Sequence, residues 1–201
     1  MNHFWDERYA GPDYKYGTLP NEFLRCQIEG RLSAGSRMLV PGDGEGRNGV
    51  WLAGQGLRVT TLDYSAQGVD KARQLAARHG VALEALCADL AEWRAEPASF
   101  DAVALIYLHL PSALRRTAHR HLAEALVPGG WLILEAFEPA QLQFSSGGPR
   151  DVDMLMRVED LQEDFAGLLD LELLESVQVE LFEGEGHVGP ARVVRLIGRR
   201  R

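Results

Sequence analysis

Met38-Leu39-Val40-Pro41-Gly42-Asp43-Gly44-Glu45-Gly46-Arg47-Asn48 is a short apolar run, then three glycines at alternate positions, then residues that can open a helix. Four apolar residues in a row predict a strand buried on both faces. Glycine turns the chain sharply and lets a ligand approach the backbone with no Cβ in the way. A helix after the turn offers the unpaired N–H groups of its first residues. Strand, glycine turn and helix together predict a nucleotide pocket at the carboxyl edge of a parallel sheet.

Two cofactors compete for this turn. Gly42-x-Gly44-x-Gly46 is the pattern of S-adenosylmethionine (SAM) sites, and Gly44-x-Gly46-x-x-Gly49 also satisfies the dinucleotide fingerprint. In the dinucleotide form the first glycine follows the strand directly, whereas Pro41, Gly42 and Asp43 precede Gly44. A pyrophosphate would also meet Asp43 and Glu45, and like charges repel. SAM carries a sulfonium and an ammonium, both compatible with carboxylates. The acids favour SAM.

Outward from the turn, strands and helices alternate. Arg37–Pro41 reads as the first strand and Asn48–Gly54 as the start of a helix ended by Gly54 and Gly56. Arg58–Leu62 is a β-branched second strand. Ser65 can cap a helix that runs to His79, where Gly80 stops it. Val81–Cys87 is a third strand, Phe100–Tyr107 a fourth, Ser112–Leu126 a helix with Leu114, Ala118, Leu122 and Leu126 on one side, and Trp131–Phe137 a fifth strand after Pro128-Gly129-Gly130. Gln141–Arg157 reads as a loop and Val158–Phe165 as a short helix. Leu171–Phe182 and Ala191–Ile197 read as strands, and the segment Glu183–Pro190 between them is too short for a parallel crossover. The predicted fold is α/β: a Rossmann-like, mostly parallel seven-stranded sheet with helices on both faces and a C-terminal antiparallel hairpin. One domain over 1–201 is expected, with 1–35 as a lid or edge segment and 36–201 as the core.

The chain has 201 residues, 46% of them hydrophobic, and a formal net charge of −8. That balance excludes nucleic acid as the main partner, because phosphate binding needs a basic face. Arg199-Arg200-Arg201 is the one basic run and reads as a solvated tail. Cys26 and Cys87 are the only cysteines, which fits a reducing compartment better than a disulfide scaffold. The N-terminal residues show no signal peptide, and no apolar run is long enough to span a membrane. A cytoplasmic monomer or homodimer is expected.

These residues together resemble the class I SAM-dependent methyltransferases over essentially the whole chain. The resemblance is carried by Gly42–Asn48, Asp63 after the second strand, Ala88-Asp89-Leu90 after the third, and Leu126–Glu135. Within that superfamily the chain is similar to the small bacterial tellurite-resistance and thiopurine-type enzymes. That similarity lies in Trp5-Asp6-Glu7-Arg8-Tyr9, Tyr16-Gly17-Thr18, Ser146-Gly147-Gly148-Pro149 and Glu185-Gly186-His187. The resemblance implies a small-molecule methyl acceptor. It implies that Gly42, Gly44 and Gly46 border the methionine part of SAM and that Asp63 accepts the ribose hydroxyls. Asp89 and the backbone at Leu90 would meet the adenine, while Ile106 and Tyr107 would line the methionine side. Asn48, Tyr64 and Ser65 complete the candidate contacts. Many relatives carry an acid two residues before the first glycine. Val40 stands there, so Asp43, Glu45 or a backbone carbonyl is left to meet the ammonium.

A hydroxyl acceptor would need a base, and His109, just beyond the fourth strand, is the candidate. A histidine that packs or caps is the competing reading. His119 and His121 point different ways on a helix and make poor metal ligands, no spacing suggests a metal site, and His187 in its glycine-rich turn reads as solvated, with reach to the pocket mouth as the alternative. Trp5, Tyr9 and Tyr16 are candidates for a lid, although aromatics ahead of the first strand can also be permanent core. Two other functions stay open: a SAM- or nucleotide-binding sensor without turnover, and a small NAD-dependent oxidoreductase using Gly44, Gly46 and Gly49.

Overall fold

The structure is a computed structural model that describes residues 3–201. Helices α1 (His3–Tyr9) and α2 (Glu22–Ile28) precede the sheet. There follow β1 (Arg37–Pro41), α3 (Arg47–Gly54), β2 (Arg58–Asp63), α4 (Ala66–His79), β3 (Glu84–Cys87), β4 (Phe100–Ile106), α5 (Ser112–Glu124) and β5 (Leu126–Phe137). Helix α6 (Val158–Asp164), β6 (Leu169–Glu183) and β7 (His187–Arg200) complete the chain. The seven strands lie in the order β3-β2-β1-β4-β5-β7-β6. The first five pair in parallel, and β7 is antiparallel to both β5 and β6.

The apolar runs are continuous because successive residues feed two cores. In β1, Met38 and Val40 join Phe23, Leu24 and Leu52 on one face of the sheet, while Leu39 joins Leu122 and Phe165 on the other. In β4, Ala102 and Ala104 face the first core, and Val103 and Leu105 face the second. The cap predicted for α4 is present: the Ser65 hydroxyl accepts from Gly68 N–H, and Gly80 closes the helix with φ +65.

Several predicted boundaries move. β3 begins at Glu84 rather than Val81, and β5 already runs through Pro128-Gly129-Gly130. The loop Gln141–Arg157 holds two 3-10 turns, Pro139–Gln143 and Val152–Met154. The C-terminal hairpin is much longer than read, with its turn confined to residues 184–186. Pro190 is tolerated in β7 because at that point only β6 is beside it; pairing with β5 starts at Val193. Arg199-Arg200-Arg201 is not a solvated tail. Arg199 and Arg200 end β7, Arg199 lies 5.0 Å over the Trp131 ring, and Arg201 pairs with Asp170 at 2.7 Å.

The segment ahead of β1 is strapped across the carboxyl edge of the sheet. Lys71 of α4 donates to the Asp13 carbonyl and to Glu45, each at 2.7 Å, and Glu45 also accepts from Lys15 N–H at 2.7 Å. On the other side Gly186 N–H donates to the Lys15 carbonyl. Gly184 comes so close that a Cβ there would fall 2.4 Å from the backbone at Tyr16 and Gly17, which is why this turn needs glycine.

Candidate cofactor and acceptor site

Because β1 pairs with β2 on one side and β4 on the other, the connections leave its carboxyl end in opposite directions and open a crevice. The glycine turn forms one wall, and Tyr107 and Leu108 after β4 form the other. A Cβ on Gly42 would lie 2.7 Å from Leu108 Cδ1, and one on Gly44 would lie 2.6 Å from the Tyr9 hydroxyl. Both glycines therefore border the crevice. Gly46 serves packing instead: a Cβ there would strike Ala72 of α4 at 2.6 Å. Gly49, the last residue of the dinucleotide fingerprint, sits inside α3 against Thr61 of β2.

Asp63 ends β2 beside this turn. Its carboxylate accepts the N–H groups of Gly44 and Ser65, each at 2.9 Å, and burial raises its pKa. Tyr64 and Ser65 follow it. The buried Ser65 hydroxyl donates to Asp6 of α1 at 2.6 Å, so the first helix is tied to the start of α4. At the end of β3, Asp89 is exposed and accepts from Ala91 N–H, with Leu90 buried beside it. Ile106 is buried at the end of β4. The structure thus gathers Gly42, Gly44, Asp63, Tyr64, Ser65, Asp89, Leu90, Ile106 and Tyr107 along the carboxyl ends of four neighbouring strands.

The two acids of the turn have protein partners. Glu45 holds the strap through Lys71 and Lys15. Asp43 points inward, where one oxygen accepts from Gly49 N–H at 2.9 Å and the other meets no donor among the described residues. Burial pushes its pKa up to about 7. Asn48 is also engaged, accepting from Asn21 N–H.

His109 has both ring nitrogens against the main chain. Nδ1 faces the Met154 carbonyl at 2.8 Å, and Nε2 accepts from Phe137 N–H at 3.4 Å. Burial pushes its pKa down to about 4, so the ring is neutral at pH 7. His187 is not solvated as read. It is 5% exposed, with its ring centroid 4.5 Å from that of Tyr16 and 4.6 Å from that of Tyr107, and its Nδ1 is 3.3 Å from Glu183. His119 is buried in an ion cluster with Asp164 and Arg115, away from the crevice.

Sequence reasoning missed the polar network beneath the crevice. Glu135 of β5 accepts from Asn21 Nδ2, the Tyr107 hydroxyl and Arg195 Nε. Glu183 accepts from Asn21 Nδ2 and Arg47 Nη2. The one available signal was a glutamate inside the apolar run Trp131–Phe137, a residue type rarely buried without partners.

Comparisons with known proteins agree with this geometry. Residues 39–130 match the family model described as a methyltransferase domain. No curated protein sequence matches the chain. Among solved structures, the N-methyltransferase NodS from Bradyrhizobium japonicum WM9, in complex with S-adenosyl-L-homocysteine, is 18% identical, with 99% of this chain and 97% of that one covered at a TM-score of 0.73. TehB from Haemophilus influenzae is 14% identical, with 100% and 67% covered at 0.71. The [4+2]-cyclase SpnF is 18% identical, with 97% and 90% covered at 0.70. Matches at this identity share the fold, here the Rossmann-like methyltransferase fold. The match over residues 39–130 supports a SAM-dependent enzyme. The cofactor these comparisons support is SAM.

Asp43 makes the stability of the free protein depend on pH. An unfolded aspartate titrates near 4 and the folded one near 7, so between these values the native state holds a proton that the unfolded chain has lost. Stability falls across that window as pH rises and is flat above it. Asp43→Asn removes this loss. Relative to wild type, the variant gains stability from pH 4 to 7, by at most about 4 kcal/mol at about 1.4 kcal/mol per pKa unit. Urea denaturation at pH 4.5, 6 and 8 checks it, and a gap that stays constant would refute the assignment.

Proposed function

We propose that this enzyme moves the methyl group of SAM to a small acceptor that needs no general base: a thiol, a chalcogen oxyanion or an amine, as in the tellurite-resistance and thiopurine-type enzymes it resembles. The observation that carries this reading is His109. The residue placed best to act as a base has both nitrogens on backbone groups and a pKa of about 4. Such a ring is a weak proton acceptor, and here it positions the loop after β4 against β5. Because SAM is already activated, an ionised or neutral nucleophile needs only in-line placement, and positioning alone is worth roughly 7–11 kcal/mol of barrier.

In this reading Asp63 turns toward the ribose hydroxyls, and Asp89 and Leu90 meet the adenine. Gly42 and Gly44 lie along the methionine arm, with Ile106 and Tyr107 opposite. Trp5, Tyr9 and Tyr16 form a lid. The Tyr9 hydroxyl rests on Gly44, Trp5 stacks on Tyr9 at 5.3 Å, and Tyr16 covers His187. A cofactor entering along Gly44 must lift this segment, and the same rings then shut water out of the transfer. Residues 1 and 2 of the lid segment lie outside the described residues. All 201 residues act as one unit in this reading.

Labelled SAM offered with thiols, selenite, tellurite and small amines tests the acceptor class. Transfer is expected to one of these, with a rate that follows the acceptor's own ionisation. A rate that instead follows a group on the enzyme would return a base to the mechanism. Asp63→Ala is expected to weaken SAM by roughly 1–3 kcal/mol in calorimetry, the cost of leaving buried hydroxyls without a charged acceptor. An unchanged affinity would remove Asp63 from the ribose. Amide exchange over residues 3–20 is expected to slow when S-adenosylhomocysteine binds. Strong protection in the empty protein with no change on binding would make Trp5, Tyr9 and Tyr16 permanent core.

A further inference from the structure

We propose that Arg47 is an anion receiver: its Nη1 takes a carboxylate or oxyanion of a molecule bound in the crevice. This inference rests on the cofactor site described above and adds to it the charge of the group bound deepest.

Arg47 is the first residue of α3, directly after the glycine turn, and its side chain is 8% exposed. Nη2 is spent on Glu183 at 2.8 Å. Nη1 is buried and meets no acceptor among the described residues. A guanidinium in water has every N–H solvated, so leaving one of its nitrogens dry and unpaired is costly. No nearby acid supplies the missing partner: Asp43, which feels the Arg47 charge, leaves its own Oδ1 unpartnered as well, so the two do not bond to each other. Glu183 is shared among Arg47, Asn21 and His187. Glu135 is filled by Asn21, Tyr107 and Arg195. Glu45 is turned to Lys71 and Lys15.

The surroundings of Arg47 are those of the crevice floor. Its charge acts on Tyr16, Tyr107 and His187, which pack ring to ring, and on Asp43 in the turn. The planar fork of arginine suits carboxylates and other oxyanions, and with one prong fixed by Glu183 the other is already oriented. Ordering this side chain is then complete before the ligand arrives, which lowers the cost of binding. Two molecules bring the required chemistry to this place: SAM, through its methionyl carboxylate, and an oxyanion acceptor.

The test separates them. Calorimetry measures S-adenosylhomocysteine, and methylthioadenosine, which lacks the carboxylate, on wild type, Arg47→Met and Arg47→Lys, with urea denaturation to confirm folding. Selenite is then titrated into each S-adenosylhomocysteine complex. If Arg47 holds the methionyl carboxylate, the wild-type preference for S-adenosylhomocysteine over methylthioadenosine falls at least ten-fold in Arg47→Met and is partly kept in Arg47→Lys. If it holds the acceptor, that preference is unchanged and selenite binding falls at least ten-fold. Either result supports the proposal. The same ligand preference and the same selenite behaviour in wild type and variants, including no selenite binding in any of them, overturns it. Should Arg47→Met not fold, Arg47→Lys decides, since lysine keeps the charge but loses the second prong. A wild type that binds no S-adenosylhomocysteine would instead count against the cofactor site itself.

Discussion

Glu135 is the residue on which the working end of this molecule depends. It lies in β5, 1% exposed, where an unpaired carboxylate would cost several kcal/mol. Three donors from three distant parts of the chain satisfy it: Asn21 before α2, Tyr107 after β4 and Arg195 in β7, at 2.7, 3.0 and 2.7 Å. Its backbone carbonyl also accepts from Tyr107 N–H at 2.8 Å. Tyr107 has φ +51, a conformation that side-chain-bearing residues rarely adopt. Held by one residue through both backbone and side chain, Tyr107 keeps that strained turn, which throws Leu108 across to Gly42. The width of the crevice is thus set from beneath.

The same network recruits the segment ahead of the sheet. Asn21 bridges Glu135 and Glu183 while its own N–H is taken by Asn48 of α3. A chain with no strand to offer is thereby fixed to β5, β6 and the helix that follows the glycine turn. Toward its start, Lys71 with Glu45 and Ser65 with Asp6 continue the attachment along α4. These contacts tie residues 6–15 to α4 and the glycine turn, as Asn21 ties the chain to β5 and β6.

The parallel half of the fold was legible because its signals are local. Apolar runs five to seven residues long, glycine turns and Ser65 and Gly80 as caps each act within a few positions. The direction of the hairpin was legible from its short connection. Its length was not. Glycine and proline between 184 and 190 read as loop, yet β7 pairs there with β6 alone and keeps its ladder through Gly189 and Pro190. In the site, Asp63 and the glycines could be placed because they sit at fixed offsets from strands. Arg47, Glu135, Glu183 and His187 could not, since apart from the His187–Glu183 pair their hydrogen-bond partners lie 28 to 162 residues away and no spacing within the sequence announces them. His187 shows the error clearly: an acidic, glycine-rich neighbourhood suggests solvent, but those glycines allow Tyr16 to close over the ring.

The substitution of Val40 for the usual acid fits this charge distribution. Val40 is 1% exposed and packs in the core beneath the turn. A carboxylate there would join Asp43 and Asp63, whose pKa values burial already raises. Three buried acids around one turn would repel each other, and at least one would take up a proton. With valine at this position, the glutamates beneath the crevice each keep donors of their own, Glu135 from Asn21, Tyr107 and Arg195 and Glu183 from Asn21 and Arg47. The carboxyl edge thus combines Asp63, which accepts from Gly44 and Ser65 N–H, with a guanidinium at Arg47 whose Nη1 meets no acceptor among the described residues. Valine at position 40 thus spares this turn a third buried carboxyl.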